Sequence, residues 1–240
     1  MIKATAPMAG ITNAEFLNKI IPYGFNLATL GGYSLDEKTI QATEQILKRG
    51  RKEFNIKKEK IINHIENEVK ILKQNHKNIK VSANVRSTTP QPIINVGNIK
   101  NLDIVEINCH CRQNEILKIG CGQKMLNSPD LENFISTVTD NVKSQVSVKI
   151  RANIPQINTF EVIQLIEDAG ADYVHIDAMK KGVQEADWKL LKEISSKYKI
   201  KIIGNNSINS QDNLSKMIST GVDGFSIARA ILSGKLDFKI

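Results

Sequence analysis

The sequence predicts an α/β protein that forms a single (β/α)8 TIM barrel over residues 1–240, and three observations predict it. Short aliphatic segments alternate with amphipathic segments along the whole chain, as in successive βα units. Eight apolar segments occur in 240 residues, close to the length of about 250 that is typical of this barrel. The segment 6–10, Ala-Pro-Met-Ala-Gly, follows the first strand where a doubly wound sheet would carry a Gly-rich dinucleotide loop.

The predicted strands are mostly continuous runs of β-branched or aliphatic residues. This pattern is expected of parallel strands that are covered on both faces. In chain order the predicted strands are Ile2–Ala6, Phe25–Leu30, Lys80–Val85, Asp103–Asn108, Val146–Arg151, Tyr173–Asp177, Ile200–Gly204 and Gly224–Ile227.

The helices between these strands are marked by an apolar stripe, a capping residue at the start or a glycine at the end. Asn158 stands three residues before Glu161, which is a capping-box spacing, and Gly170 ends that helix. Ser128 followed by Pro129 likewise marks the start of the predicted helix Leu131–Val142. The other predicted helices are Ile61–Gln74, Ala186–Tyr198 and Ser210–Thr220.

The composition is that of a soluble globular protein, with 41% hydrophobic and 24% charged residues. No apolar run reaches the roughly 18 residues that span a bilayer, and the N-terminus has no signal-peptide core, so we expect no membrane attachment and a cytoplasmic location. The formal net charge is +8, and the basic stretch Lys48–Lys60 contributes strongly to it. That stretch is either a solvated surface or a contact for nucleic acid.

Polar residues at the C-terminal ends of the strands are the candidate site, because barrel active sites lie there. Lys149 and Arg151 are two residues apart and point the same way, as do His175 and Asp177. Unpaired buried charge is costly, so this many charged residues at strand ends indicates a functional role. The other strand-end residues are Pro7, Met8, Asn84, Arg86, Asn108, Cys111, Arg112, Asn205, Asn206, Ser207, Ala228 and Arg229.

The loops after the seventh and eighth strands predict a phosphate site, as is usual in such barrels. Asn205, Asn206 and Ser207 lie in a turn of small residues that offers backbone N–H groups. Arg229 is placed at the start of a predicted final helix, where the helix dipole also favours an anion. We therefore expect a ligand that carries a phosphate.

Cys109, Cys111 and Cys121, together with His110, admit three interpretations: a metal cluster, inert thiols or one reactive thiol. Their spacing matches no common zinc or iron–sulfur pattern, so we predict no metal. Cys111 is the best candidate for a reactive thiol, because it begins the loop after the fourth strand beside lysine and arginine residues.

Seven segments in the same order resemble the motifs of tRNA-dihydrouridine synthases, and they extend over nearly the whole chain. The segment at 108–112 is similar to the catalytic motif N-x-G-C-P of that family. The seven segments are APMAGITN (6–13), NCHCR (108–112), GCG (120–122), VKIR (148–151), ADW (186–188), GNNSI (204–208) and GVDGFSIAR (221–229).

The resemblance implies an FMN enzyme that reduces the C5=C6 bond of uracil in tRNA, with NADPH or NADH as electron donor. Cys111 would be the general acid, and Arg112, Arg151 and His175 would bind substrate. The residues implied to hold FMN are Pro7 and Met8 against the ring, Asn84, Asn108, Lys149 and Asp177 around it, and Asn205, Asn206, Ser207, Ala228 and Arg229 at the phosphate.

The chain departs from the family pattern at four positions, and its resemblance does not include the family's C-terminal helical domain, which grips tRNA. His110 replaces a glycine, Arg112 a proline, Asp177 a histidine and Ala228 a glycine. Two alternatives therefore stay open: an enzyme similar to dihydroorotate dehydrogenases that acts on a free dihydropyrimidine, and a barrel that binds flavin or phosphate without turnover. A homo-oligomer or a partner subunit could supply the contacts to tRNA.

Overall fold

The computed structural model describes residues 1–180 and 182–240, and its strands close into one barrel. All neighbouring strands are parallel, and β8 pairs with β1. The predicted (β/α)8 TIM barrel is therefore confirmed. The strands are β1 Ile2–Thr5, β2 Leu27–Ser34, β3 Lys80–Arg86, β4 Ile104–Cys109, β5 Gln145–Arg151, β6 Tyr173–Asp177, β7 Lys201–Asn205 and β8 Gly224–Ile227.

The helices of the described residues surround this barrel and bury their apolar stripes against it. Asn13, Asn158 and Ser210 cap three of them, because each side chain accepts a hydrogen bond from an N–H group of the first turn. The helices are α1 Ala14–Ile20, α2 Glu37–Lys48, α3 Ile61–Asn75, α4 Pro90–Gly97, α5 Asn114–Lys118, α6 Leu131–Thr139, α7 Thr159–Asp168, α8 Trp188–Lys197 and α9 Gln211–Ser219.

Several predicted boundaries were wrong. Strand β2 begins at Leu27 and not at Phe25, and helix α6 ends at Thr139 and not at Val142. Strand β2 continues past Leu30 to Ser34 and is buried throughout. Helix α8 begins at Trp188, because the Asp187 side chain accepts from the N–H of Leu190 and so marks the start. The helix expected at Arg229 is a single 3₁₀ turn of three residues, and it therefore offers no extended helix dipole.

The connection from β2 to β3 contains two helices, and the segment between them, residues 49–57, returns to the barrel mouth. A Cβ atom on Gly10 would lie 2.6 Å from the backbone nitrogen of Glu53, so the segment packs tightly on the loop after β1. The Phe54 ring lies 4.8 Å from that of Tyr33 in the core. This part of the basic stretch is therefore anchored by its apolar and acidic residues.

At the opposite end of the barrel, a side-chain oxygen joins each odd-numbered strand to the strand that follows it. Asp103, just before β4, accepts from the N–H of Val81 in β3 at 2.7 Å. Asp172, just before β6, accepts from the N–H of Val146 in β5 at 2.8 Å. The same contact recurs from Lys3 to Asn26 and from Ile202 to Asp223. These four acceptors hold neighbouring strands in register.

No helix within the described ranges is both long enough and apolar enough to cross a membrane.

Replacing Asp172 with alanine should lower the free energy of unfolding by about 1–3 kcal/mol, because the N–H of Val146 loses a charged acceptor. Urea unfolding at fixed pH and ionic strength measures the change. Glu66→Ala is the control, since that exposed residue of α3 carries the same charge and should stay within about 0.5 kcal/mol of the parent. Equal effects of the two variants would contradict the assignment of Asp172 as a register contact.

Candidate active site at the barrel mouth

Strands β4, β5 and β6 place the predicted site residues at two levels of the barrel mouth. Asn108, Lys149 and His175 are in register at the lower level. Arg151 and Asp177 are in register one alternation higher. Because residues two apart on a strand share a face, both levels face the barrel axis.

Glu106 of β4 lies beneath these two levels, and sequence reasoning missed it because only strand ends were considered. Its side chain is buried, with 2% exposure. The carboxylate accepts hydrogen bonds from Asn84 Nδ2 at 2.8 Å, Ser147 Oγ at 3.0 Å and His175 Nδ1 at 2.8 Å. An acidic residue inside an otherwise aliphatic strand was the available signal.

His175 lies in the barrel interior, at 1% exposure, and not at the surface of the mouth where a substrate contact was expected. Its Nε2 atom is 2.8 Å from Lys149 Nζ and 2.6 Å from Ser226 Oγ. Both ring nitrogens therefore have partners inside the protein. Burial lowers the pKa of Lys149 to about 8, although Glu106 acts in the opposite direction.

A chain of side-chain amides leads from β3 to the loop that carries Cys111. Asn108 Nδ2 donates to Asn84 Oδ1 at 2.8 Å, and Asn108 Oδ1 accepts from the backbone N–H groups of His110 and Cys111. A Cβ atom on Gly32 would stand 2.7 Å from Asn84 Oδ1, so the close approach of β2 requires glycine there.

Two of the departures from the family pattern, His110 and Asp177, contact each other. His110 Nε2 lies 2.6 Å from Asp177 Oδ2, and Arg151 Nη2 lies 3.1 Å from the same oxygen. Burial lowers the pKa of His110 to about 4 in spite of Asp177, so the imidazole is neutral at neutral pH. Asn206 Nδ2 donates to the other oxygen of Asp177 at 2.6 Å.

The sulfur of Cys111 lies 3.8 Å from Arg86 Nη1. Arg86 Nη2 donates to Glu53 Oε2 at 2.6 Å and to the carbonyl of Gly32 at 3.1 Å. Arg86 and Glu53 each have 2% of the side chain exposed, so this is a buried ion pair. Glu53 was missed in the sequence because it stands within a basic stretch.

The other two thiols are buried. Cys109 lies on the outer face of β4, with its sulfur 4.0 Å from that of Met125. Cys121 Sγ lies 3.5 Å from the carbonyl of Ser87. Burial raises the pKa of the Cys121 thiol to about 12 and raises that of Cys109 as well. Cys111 is partly exposed and is therefore the accessible thiol.

The loops after β7 and β8 contain backbone N–H groups that lack acceptors. Asn206 and Ser207 have positive φ angles of 103° and 59°. Within the part of the chain that the structure describes, no group accepts from the N–H of Asn206, Ser207 or Arg229. Successive free N–H groups of this kind can bind an anion.

The remaining candidate residues lie around the rim of the mouth. Pro7 and Met8 are half-buried, and the N–H of Met8 donates to Thr12 Oγ1 at 3.0 Å. Ala228 is half-buried, and Arg112 and Arg229 are exposed. Asn205 is buried, and its Nδ2 donates to the carbonyl of Ser226 at 3.0 Å.

A family model described as "Dihydrouridine synthase (Dus)" matches residues 4–234. Uncharacterized protein MJ0144 of Methanocaldococcus jannaschii is 36% identical over 97% of this chain and 90% of its own length. The tRNA-dihydrouridine synthase B of Vibrio vulnificus is 23% identical over 93% of this chain, which spans 66% of that protein. A mouse tRNA-dihydrouridine(20a/20b) synthase [NAD(P)+]-like protein is 29% identical over 56% of this chain and 44% of its own length.

Among solved structures, the chain is similar to N-acetylmannosamine-6-phosphate 2-epimerase from Clostridium perfringens, with a TM-score of 0.59 and 12% identity over 96% of this chain and 86% of that one. FabK from Thermotoga maritima has a TM-score of 0.59 and 13% identity over 94% of this chain and 57% of that one. At these identities the similarity shows the barrel fold alone.

Replacing Glu53 with alanine should cost about 3–5 kcal/mol of stability, because the guanidinium of Arg86 would stay buried without its carboxylate. Replacing both partners, in Glu53→Ala/Arg86→Met, should recover most of that loss, since no buried charge remains. Chemical unfolding of the two variants and the parent measures both changes. A loss below about 1 kcal/mol in Glu53→Ala would show that the pair is solvated as surface pairs are.

Proposed function

The chain belongs to the dihydrouridine synthase family, and from this premise we propose that it is a flavin-dependent oxidoreductase that reduces the C5=C6 bond of uracil in tRNA. The observation that carries the proposal is the position of Cys111. Its accessible thiol stands on the loop after β4, beside Arg86, where a barrel enzyme holds its reacting groups.

The flavin in this proposal is FMN. The free N–H groups of Asn206, Ser207 and Arg229 fit its phosphate, and the positive charge of Arg229 adds to their attraction. Asn205 and Ala228 complete that end. Pro7 and Met8, which are half-buried at the rim, would contact the flavin ring. Asn108, Lys149 and Asp177 would help to hold it, and buried Asn84 would act through Asn108.

When bound, FMN would supply the hydride for C6 of uracil, with NADPH or NADH as the source of the electrons. The Cys111 thiol gives its proton to C5, so that an S–H bond breaks and a C–H bond forms. Arg86 Nη1, 3.8 Å from the sulfur, stabilises the thiolate that remains. Since Cys111 is partly exposed, solvent can return the proton.

Arginine residues at the rim suit a substrate that carries phosphates. Arg151, whose side chain is 10% exposed beside Asp177, can offer its positive charge to the uracil or to its nucleotide. Exposed Arg112 can contact the backbone of tRNA. A uracil within folded tRNA has to be flipped out of its stack, which costs a few kcal/mol.

Cys111→Ala should abolish reduction of uracil and leave the reduction of bound flavin by NADPH intact, because only the proton donor is lost. Flavin absorbance follows the first half-reaction, and analysis of dihydrouridine in tRNA follows the second. Cys109→Ala and Cys121→Ala are the controls, since both thiols are buried and Cys111 is partly exposed. Equal loss in all three variants would contradict the proposal, as would purified protein that binds no FMN.

Binding of tRNA should be weak and strongly dependent on salt, with a dissociation constant on the order of 10⁻⁴–10⁻⁶ M at physiological salt, because it rests on phosphate contacts. Replacing exposed Arg51 and Lys52 together should weaken it and reduce the slope of log affinity against log salt by about 2. Arg49 is kept, since it pairs with Glu115 at 2.8 Å.

The matched control replaces Lys189 and Lys192, two exposed residues of α8, and should leave tRNA binding nearly unchanged. Nanomolar binding that ignores salt would contradict this prediction. Absence of binding at any salt would favour a free pyrimidine as substrate. Binding that requires a homo-oligomer or a partner subunit would show as a dependence of affinity on protein concentration or on added protein.

A further inference from the structure

Two hydrogen-bond chains leave the buried carboxylate of Glu106 and end at the two groups to which the proposed reaction assigns roles. One chain runs through Asn84 and Asn108 to the backbone N–H of Cys111, with distances of 2.8, 2.8 and 2.9 Å. The other runs through His175 to Lys149, with distances of 2.8 and 2.8 Å. Both chains therefore start at the same buried residue.

The carboxylate is ionised and can only accept hydrogen bonds. Burial acts to raise the pKa of Glu106, but His175, Lys149 and Asn84 outweigh it and lower that pKa to about 2. The amide nitrogen of Asn84 must therefore face Glu106, which leaves Asn84 Oδ1 to accept from Asn108. Asn108 must then turn its oxygen towards the Cys111 loop.

The same reasoning orients His175. Burial and the charge of Lys149 lower its pKa, so the ring is neutral at neutral pH. Since Nδ1 faces an acceptor, it carries the proton, and Nε2 presents a lone pair. That lone pair can accept from the ammonium group of Lys149, 2.8 Å away. The carboxylate thus selects the tautomer that can hold a cationic lysine.

We propose that Glu106 is a positioning residue that sets, through these two chains, both the orientation of the Cys111 loop and the placement of the Lys149 ammonium group. The assignment rests on the proposed function for the roles of Cys111 and Lys149. The geometry itself holds whatever the substrate is.

Glu106→Gln is the decisive variant because it keeps the shape and adds a donor. Its new NH2 group would face either Asn84 Nδ2 or His175 Nδ1, and both are donors in the parent. This contact between two donors is removed only if the Asn84 amide flips or His175 changes its tautomer. The flip of Asn84 would reorient Asn108 and so the loop that carries Cys111. The change of tautomer would place an N–H group of His175 against the Lys149 ammonium group.

Two measurements test the groups at the ends of the two hydrogen-bond chains, and neither needs substrate or flavin. The rate at which iodoacetamide modifies Cys111, with the site located by mass spectrometry, reports the loop. The pH midpoint of the 13Cε resonance of Lys149, expected near 8 in the parent, reports the ammonium group. In Glu106→Gln we expect a several-fold change in the rate or a lower midpoint, together with a fall in turnover approaching about 100-fold.

Ser147→Ala is the matched control, because it removes a third partner of the same carboxylate but lies on neither chain. It should match the parent in both readouts. Asn84→Ala should alter the modification of Cys111 alone, and His175→Gln should shift the midpoint of Lys149 alone.

Parent-like values of both readouts in a folded Glu106→Gln variant would overturn the proposal, and so would a change in Ser147→Ala as large as that in Glu106→Gln. If Glu106→Gln does not fold, Asn84→Ala and His175→Gln, which each interrupt one hydrogen-bond chain, test the proposal by the same two measurements. Altered readouts in a protein whose parent has no uracil-reducing activity would refute the proposed function and leave the positioning role intact.

Discussion

A carboxylate buried inside a barrel needs hydrogen-bond donors to both of its oxygens. At Glu106 this requirement determines how the polar side chains below the mouth are oriented. Asn84 of β3, Ser147 of β5 and His175 of β6 supply the donors. Because a carboxylate cannot donate, each donor is held in one orientation. That orientation in turn fixes the orientation of the next hydrogen-bonded group. The interior polar residues therefore form one ordered network.

Carboxylates act at both ends of this barrel, but with different consequences. At the amino ends of the strands, Asp103, Asp172 and Asp223 accept from backbone N–H groups and hold strands in register. Towards the mouth, buried Glu106 and rim residue Asp177 accept mainly from side chains and so orient groups that can take part in chemistry. This division agrees with the general separation of stability and function between the two faces of such barrels.

The contact between His110 and Asp177 gives a physical account of two sequence departures. A histidine in place of glycine and an aspartate in place of histidine each look disruptive when considered alone. In the structure they form one pair, 2.6 Å apart, which Arg151 and Asn206 complete. The negative charge of Asp177 is thereby balanced at the rim, beside the loop that carries Cys111.

The strands were predictable to within a few residues, because burial on both faces leaves an aliphatic signature in each of them. The end of β2 at Ser34 was not, since the glycine pair after Leu30 interrupts its aliphatic pattern. The start of α8 at Trp188 was not either, since the cap from Asp187 decides it. Hydrophobic periodicity did not predict helices α1, α2, α4 and α5. Two of them nevertheless begin after capping residues that the sequence contains, Asn13 and Asp36.

The sequence by itself determined the barrel, the strand ends at which polar residues gather, and Cys111 as the candidate thiol, because these follow from local pattern and from the geometry of parallel strands. Only the tertiary structure decided the partners. Glu53 meets Arg86 across 33 residues, and Glu106 meets His175 across 69. Such pairs depend on strand register and barrel closure, which bring distant side chains within hydrogen-bond distance and which no local window of sequence contains.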